Sequence, residues 1–310
     1  MKTHSGYTAM RMIRRRHLLQ GLLLLFILLS PLFRLTAEET KAPRDRICLW
    51  EVRSDKGTLY LLGSVHLLKE EHYPLDSRIT DAYAGSDVIV FETDIGVLNS
   101  TEVQSMLLAR ALYADGRTLV SELPEDLYRG VGSILEQMGL TSEAFDTFRP
   151  WFVGVTISTL SMMQSGYNPD LGIDQYFYRL AAEEGKPILG LETAEFQIEI
   201  LASMSDEDQI DFLRQTLDEF ETVPDMMEEI VQAWRRGNVK KIDRLNESLD
   251  EYPSLYDRLL VERNGNWLNR MEEMLNSDET HLVVVGAAHM PGPDGILAGL
   301  KERGYRVTQF

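Results

Sequence analysis

The 310-residue chain contains very little cysteine and comparatively few basic residues. Its single cysteine, Cys48, excludes an intrachain disulfide and any zinc or iron–sulfur site built from several cysteines. Lysine and arginine total 31 against 49 aspartates and glutamates, which gives a formal net charge of −18. Residues 1–37 carry bases and no acid, so the rest of the chain is more acidic still. Such a surface repels phosphate backbones, and we expect no nucleic-acid partner.

Three familiar catalytic and nucleotide-binding motifs are also missing. The chain has no P-loop, no Gly-x-Gly-x-x-Gly dinucleotide fingerprint and no Gly-x-Ser-x-Gly nucleophile motif. What is present is an ordinary globular composition, with 44% hydrophobic and 26% charged residues. A chain of this composition can bury a substantial hydrophobic core.

The N-terminus predicts an export signal. Three arginines at 14–16 precede an apolar run over residues 18–29, which is short for a bilayer core of roughly 30 Å. Leu35 stands where signal cleavage prefers a small residue, so an uncleaved membrane anchor within 14–33 is the alternative. We expect residues 1–37 to be a signal peptide or an anchor. The folded part would then be extracytoplasmic, either periplasmic or held at the inner membrane.

Six short apolar runs predict β-strands. The first two, 48–53 and 58–62, flank Asp55-Lys56-Gly57, a hairpin-turn sequence in which Gly57 can adopt positive φ. The third, 88–91, is wholly apolar, as in a strand buried on both faces. The remaining runs cover 187–191, 282–285 and 305–308.

Between about 100 and 280 the apolar residues recur mainly with helical spacing. Residues typical of helix starts are Thr101, Pro124, Thr141, Asp174, Thr193 and Ser205, and those typical of stops are Gly116, Gly139, Gly185 and Gly237. The pattern predicts two helices over 206–236, divided at Pro224, and one long helix over 252–275. We therefore predict an α+β domain over 38–310, with a mixed β-sheet core and a large helical insertion at about 100–280.

Polar residues follow four of the predicted strands. Gly63-Ser64-Val65-His66 and Gly286-Ala287-Ala288-His289 are both Gly-x-x-His sequences behind an apolar strand, while Glu92 and Glu192 follow two others. Ligands of open α/β sheets bind beyond the carboxyl ends of strands, so these side chains are candidates for one site. Two histidines with one or two carboxylates are a suitable ligand set for a divalent metal.

Each of these signals also has a structural explanation. A single histidine at a strand end is usually a hydrogen-bonded structural residue, and Glu92 or Glu192 alone could cap the next helix. The occurrence of all four residues directly after predicted strands favours a shared functional site. The two other histidines of the predicted domain, His72 and His281, are expected at the surface.

In several stretches the sequence resembles the TraB/GumN family, whose eukaryotic relatives include Tiki-type membrane metalloproteases. The matching stretches, in order, are 63–66, 73–75, 90–94, 172–174, 190–193, 262–264 with Trp267, 285–289, 295–297 and 304–307. The resemblance implies an α+β fold shared distantly with erythromycin-esterase-type and haem-binding ChaN-type proteins. It places His66, His289 and Glu92 at the metal of a peptide-hydrolysing centre, with Glu192 and Arg263 beside them.

Three functions remain open at this point. In the first, His66, His289 and Glu92 or Glu192 hold a divalent cation, manganese or cobalt by resemblance, which activates water to cleave a peptide or protein substrate. The remaining carboxylate would be the general base, and Arg263 would hold a substrate carboxylate or the oxyanion. In the second, His66 activates water without metal to cleave an ester, with Glu92 orienting the water. In the third, the chain binds a peptide or haem without chemistry.

Overall fold

The computed structural model describes residues 46–246 and 253–310. These residues form two compact units. The helical unit comprises Gly96–Pro169 and Ala194–Pro224, and the sheet unit comprises the described residues up to Ile95, Asp170–Thr193 and those from Asp225 to Phe310. The predicted signal peptide or anchor, 1–37, lies outside the described residues. Of the helices within the described ranges, none has both the length and the apolar character needed to cross a membrane.

The strands are β1 Leu49–Arg53, β2 Thr58–Ser64, β3 Val88–Phe91, β4 Ile188–Gly190, β5 Thr280–Gly286 and β6 Arg306–Gln309. The first helices are α1 Ser77–Ala84, α2 Ile95–Leu98, α3 Thr101–Ala111, α4 Leu119–Glu122, α5 Glu125–Gln137, α6 Pro150–Gln164 and α7 Ile173–Glu184. They are followed by α8 Ala194–Ala202, α9 Asp206–Glu219, α10 Val223–Arg235, α11 Val239–Asn246, α12 Pro253–Tyr256, α13 Glu262–Leu275 and α14 Ile296–Glu302. A π turn, Asp257–Val261, joins α12 to α13. Short 3₁₀ turns lie at Glu70–His72, Ser142–Ala144, Pro169–Leu171 and Ala287–His289.

The sheet unit is built on one mixed sheet with the strand order β4-β3-β5-β2-β1-β6. The neighbours β2 and β5, β5 and β3, and β3 and β4 are parallel, whereas β1 is antiparallel to both β2 and β6. Every residue of β3 is buried, and so are the last six of β5, because both faces of these central strands are covered. The predicted mixed sheet in an α+β chain is confirmed, and each of the six predicted runs forms a strand.

The hairpin between β1 and β2 shows why a glycine is needed at position 57. Ser54 Oγ accepts hydrogen bonds from the backbone N–H groups of Lys56 and Gly57, both at 3.0 Å. Gly57 does not use the positive φ that its residue type would allow. A Cβ at this position would instead lie 2.6 Å from the carbonyl oxygen of Ser277, so glycine is required because another backbone approaches closely.

The helical unit is organised around α6. This helix is buried on nearly all sides from Pro150 to Met162, as expected for a helix that is apolar all round. Two of its core residues, Val153 and Ile157, join a cluster contributed by α4, α5 and α9, which also contains Leu119, Leu123, Leu127, Val131, Ile134, Leu135, Phe145 and Leu213. The predicted start at Ser205 is confirmed, because its hydroxyl caps α9 by accepting from the Asp208 N–H at 3.0 Å.

Other helix boundaries differ from the prediction. Helix α3 ends at Ala111 rather than at Gly116, because Leu112 leaves the helix to form a β-bridge with Phe148. Thr141 precedes only the short 3₁₀ turn Ser142–Ala144, and α6 begins at Pro150, which suits a first helical position because its missing N–H would be unpaired there. The interval of about 100–280 contributes helices to both units and contains β4 as well.

The two histidines expected at the surface are buried. His72 is 4% exposed, and its Nδ1 accepts from the Lys69 N–H at 3.0 Å, which closes the 3₁₀ turn Glu70–His72. His281 is also 4% exposed, because it lies within β5 between Leu59 of β2 and Val88 of β3. Both belong to the scaffold of the sheet unit.

Candidate functional site

The carboxyl ends of four parallel strands meet at one edge of the sheet. Ser64, the last residue of β2, pairs with Gly286, the last residue of β5. Phe91, the last residue of β3, pairs with Gly190, the last residue of β4. The segments that follow these four ends carry His66, His289, Glu92 and Glu192. The parallel arrangement therefore gathers the four polar side chains that the sequence placed after strands.

Arg263, the second residue of α13, is the centre of the cluster. Its side chain is 1% exposed. Nε and Nη2 donate to Glu192 Oε1 at 3.0 and 2.7 Å, and Nη2 also donates to Glu92 Oε2 at 2.5 Å. Nη1 donates to the Leu259 carbonyl at 3.0 Å and to His289 Nε2 at 3.2 Å. All five N–H groups thus have protein acceptors, and holding a substrate oxyanion would require breaking one of these bonds. The geometry gives Arg263 a positioning role.

Trp267, one helical turn beyond Arg263, contacts three members of the cluster. Its ring lies under the guanidinium, with Arg263 Cζ 4.6 Å from the ring centroid, a cation–π contact. Its Nε1 donates to Glu192 Oε2 at 3.0 Å, so both carboxylate oxygens of Glu192 are bound. The same ring packs against His289, with centroids 4.5 Å apart. Trp267 therefore fixes the arginine, one carboxylate and one imidazole together.

Glu92 joins the arginine to the end of β5. Its Oε1 accepts from the Gly286 N–H at 2.8 Å, and its Oε2 accepts from Arg263. Burial alone would raise the pKa of Glu92, but the charge of Arg263, together with His66 and the hydrogen bond from the Gly286 N–H, holds that pKa below its usual value. Glu92 is therefore an ionised carboxylate at neutral pH.

His289 is held as a neutral imidazole. The amide nitrogen of Asn264 donates to the Asp294 carbonyl at 2.9 Å, so the amide oxygen faces the ring and accepts from His289 Nδ1 at 2.7 Å. Nε2 then carries the lone pair that accepts from Arg263. Burial first, and the neighbouring guanidinium second, lower the pKa of His289 to about 3. The hydrogen bonds and the lowered pKa therefore both indicate that His289 is neutral.

His66 forms a buried pair with Asp174, the second residue of α7. His66 Nδ1 and Asp174 Oδ2 are 2.7 Å apart, and the two side chains are 6% and 4% exposed. Burial lowers the pKa of His66, but the attraction and hydrogen bond of Asp174 outweigh it and raise that pKa above its ordinary value. Nε2 of His66 has no hydrogen-bond partner among the described residues. The pair leaves this one ring nitrogen available for chemistry.

Close backbone contacts fix this pair in place. Tyr73 OH donates to the Leu171 carbonyl at 2.6 Å, and the Ile173 N–H donates to the Val65 carbonyl at 3.1 Å. A Cβ at Gly172 would lie 2.2 Å from the carbonyl oxygen of His66, so a glycine is needed where the two segments touch. The segment before α7 therefore sets the position of the His66 loop.

Four of the five site residues predicted from the sequence share one hydrogen-bonded cluster, and His66 is near enough to influence it electrostatically. Glu92, Glu192 and His289 are hydrogen-bonded to Arg263. His66 influences the pKa of both Glu92 and His289. The arrangement is an acid–base pair next to a rigid guanidinium–carboxylate cluster.

Of the ligands expected for a metal, His289 and Glu92 are hydrogen-bonded to Arg263, whereas His66 is bound to Asp174 through Nδ1. Within 46–246 and 253–310, no group of three or more histidine, cysteine, aspartate or glutamate side chains is placed to hold a metal ion. Arg263 contacts both Glu92 and His289 Nε2, so a divalent cation between them would be repelled by a buried positive charge. With Arg263 in this position, the residues do not fit a metal ion.

The site includes three residues to which the sequence argument assigned no role. Asp174, Asn264 and Trp267 all lie in stretches that carry the family resemblance, and this was the available signal. Trp267 also follows Arg263 by four positions on a helix, so these two side chains share a face. The partner of Asp174 lies 108 residues away, and no local pattern indicates such a pairing.

Comparison with known proteins identifies a family and several relatives. Residues 48–309 match the TraB/PrgY/gumN family. The chain is 24% identical over 234 residues to the uncharacterized protein YbaP of Escherichia coli (strain K12) and to that of Shigella flexneri, covering 75% of this chain and 84% of each relative. An uncharacterized protein of Treponema pallidum (strain Nichols) is 20% identical over 272 residues, covering 82% of this chain and 80% of its own length. No solved structure matches significantly, so the likeness to erythromycin-esterase-type and ChaN-type folds stays a prediction. The match over 48–309 establishes that the chain belongs to the TraB/PrgY/gumN family.

Proposed function

We propose that this chain is a hydrolase that cleaves an ester or peptide bond, with His66 as its acid–base group and without a bound metal. The observation that carries the proposal is the 2.7 Å contact between His66 Nδ1 and Asp174, which leaves Nε2 without a partner among the described residues. An imidazole held by a buried carboxylate through one nitrogen presents the other as a proton acceptor.

The proposed reaction uses His66 as general base and then as general acid. Nε2 removes a proton from water as the water attacks the substrate carbonyl, and the imidazolium then protonates the leaving oxygen or nitrogen. Asp174 keeps the proton on Nδ1 and stabilises the imidazolium, as a carboxylate does in a hydrolytic triad. Positioned acid–base groups of this type contribute about 10²–10⁴-fold to a rate.

Glu92 is the residue that we propose to orient the water. It is ionised, and Arg263 and Gly286 fix both of its oxygens in position. The frame of Arg263, Glu192 and His289 keeps this carboxylate in one position. Such preorganisation avoids a reorientation cost during the reaction.

The metal-dependent peptidase implied by the family resemblance is the second candidate. One observation favours it: both His66 and His289 use Nδ1 to bind a fixed oxygen, which is typical of histidines that bind metals through Nε2. The contacts of Arg263 with His289 and Glu92 oppose it. The two candidates differ in whether a chelator abolishes turnover.

The test is digestion of a peptide library and of an ester panel by the purified chain, with and without EDTA. We expect turnover that EDTA does not affect, that His66→Gln abolishes, and that Asp174→Asn lowers by about 10²-fold or more. His281→Gln is the matched control, because His281 is equally buried but lies in β5 away from its carboxyl end. Full turnover by His66→Gln would refute the proposal, and loss of turnover in EDTA would favour the metal-dependent candidate. Binding of peptide or haem without turnover would indicate the non-catalytic alternative.

We also propose that the folded domain acts outside the cytoplasm, with membrane association through residues 14–33 if the signal is not cleaved. The support is the basic and apolar pattern of residues 1–37, which lie outside the described residues. Protease treatment of spheroplasts tests this, because an extracytoplasmic domain is digested before the cells are lysed. Protection until lysis would contradict it.

A further inference from the structure

We propose that Arg263 is a built-in cation that occupies a potential divalent-metal site, and that removing its guanidinium converts the surrounding residues into a metal-binding site. The inference does not depend on the proposed hydrolysis, because it concerns only which cation the cluster holds. It rests on the acceptors that converge on the arginine, on features that suit a guanidinium in particular, and on burial.

The acceptors around the guanidinium are a metal-ligand set. Glu92 Oε2, Glu192 Oε1 and His289 Nε2 all face terminal nitrogens of Arg263, at 2.5, 2.7 and 3.2 Å. Two carboxylates and a neutral imidazole are common ligands of Mn²⁺ and Zn²⁺. If the side chain of Arg263 were absent, three such groups would point into the space that it leaves.

Second-sphere contacts already orient these three acceptors. The Gly286 N–H holds the other oxygen of Glu92, and Trp267 Nε1 holds the other oxygen of Glu192. Asn264 binds His289 Nδ1 and thereby keeps the lone pair on Nε2. Metal sites use outer contacts of this kind to orient their ligands. None of the three contacts involves Arg263, so each can persist without it.

Other features of the cluster are specific for a guanidinium. The Leu259 carbonyl accepts from Nη1, the flat face of the guanidinium lies on Trp267, and Nε and Nη2 bind Glu192 side by side. A spherical ion uses neither the stacking face nor the planar fork. The cluster is thus completed by an arginine that is always charged and covalently attached.

Because the cluster is buried, its two carboxylates need a cation, either the guanidinium or a metal ion that replaces it. Arg263 is 1% exposed, and the side chains of Glu92 and Glu192 are 9% and 8% exposed. Two carboxylates in so dry a position require a positive partner, because an uncompensated buried charge is strongly unfavourable. In a variant that lacks the guanidinium, a divalent cation is the natural replacement.

The experiment is a titration of the full chain and its variants with Mn²⁺ alone, with free ion counted by electron paramagnetic resonance. We expect no saturable binding by the wild-type chain. We expect Arg263→Ala to bind one Mn²⁺ per chain, at least about tenfold more tightly than any residual binding by the wild-type chain. Glu192→Gln in that background should weaken this binding by about tenfold. The control is Arg270→Ala, which removes an arginine of the same helix that donates only to the carbonyls of Gly190 and Leu191. This control should not gain Mn²⁺ binding.

Two results would overturn the inference. The first is stoichiometric Mn²⁺ binding by the wild-type chain that Glu92→Gln abolishes, which would mean that metal and arginine coexist. The second is a folded Arg263→Ala chain that binds no Mn²⁺. If Arg263→Ala folds only when Mn²⁺ or guanidinium is added during refolding, that dependence supports the inference. If no variant folds, the wild-type titration alone decides whether the inference holds. Loss of turnover in His66→Gln bears only on the proposed hydrolysis, so the two proposals fail separately.

Discussion

Asp174→Asn is expected to destabilise the fold more at low pH than at high pH. The substitution removes the carboxylate charge but keeps an oxygen that can accept from His66 Nδ1, which lies 2.7 Å from Oδ2. Because the side chains are 4% and 6% exposed, solvent screens their attraction little. Asp174 raises the pKa of His66 in the folded state, so protonated His66 stabilises the fold below its ordinary pKa of about 6.5. That contribution is lost as the pH rises through the higher pKa of the folded state.

The magnitude follows from the strength of hydrogen bonds to charged groups. Such bonds contribute about 1.5–3 kcal/mol, against about 0.5–1.5 kcal/mol between neutral groups. We therefore expect Asp174→Asn to lower the free energy of unfolding by about 2–3 kcal/mol at about pH 5.5, and by about 1 kcal/mol less at about pH 8.5.

The assay is urea unfolding at the two pH values, followed by tryptophan fluorescence and by far-UV circular dichroism. Coincident transitions from the two probes allow a single free energy of unfolding to be extracted. Asp76→Asn is the matched control, since Asp76 caps α1 and pairs with Arg78 rather than with a histidine, so its cost should be the same at both pH values. An Asp174→Asn cost that is equal at both pH values, or larger at the higher one, would refute the reasoning.

Three further predictions concern the same centre. Arg263→Met leaves two buried carboxylates without a positive partner and should lower the free energy of unfolding, measured in urea, by about 3–5 kcal/mol. A loss under about 1 kcal/mol would contradict the burial of these carboxylates. Gly172→Ala places a Cβ 2.2 Å from the His66 carbonyl oxygen and should cost about 1–3 kcal/mol, measured as a lower urea midpoint, whereas an unchanged midpoint would mean that the two segments can separate freely. Since the pKa of His289 is lowered to about 3, the unfolded chain binds a proton there first as the pH falls below about 6.5, and stability is lost in that range. His289→Gln should flatten this pH dependence, and an unaltered slope would show that another group causes it.

The strands were the most predictable part of the fold. Each is a short apolar run bounded by turn residues, and runs such as 88–91 are too short to form a helix of ordinary length. The helix ends were less predictable, because contacts distant in sequence decide them. Leu112 leaves its helix to pair with Phe148, and the sequence near Leu112 does not indicate this partner.

The membership of the site was more predictable than its chemistry. Because parallel strands end at one edge, residues that follow them could be placed together from the sequence. The sequence could not show whether these residues surround a metal ion or a guanidinium, because histidine and glutamate side chains can bind either one. It depends on where the side chain of Arg263 lies, and this is set by the packing of α13 on the sheet and by the contact of Arg263 with Trp267 of the same helix.

The π turn at Asp257–Val261 controls the direction in which Arg263 points. In this turn the Glu262 N–H bonds to the Asp257 carbonyl, five residues back rather than four, so the turn holds one residue more than an α-helix would. Each residue rotates an α-helix by about 100°, since a full turn takes about 3.6 residues. If the same residues were wound as a continuous α-helix, the extra residue would rotate everything after it, and the guanidinium would lie about a quarter of a revolution around the axis, away from both carboxylates. The winding of this short segment therefore sets the direction of Arg263, and a single-residue insertion there that is taken up as regular α-helix should disrupt the centre while leaving the helix intact.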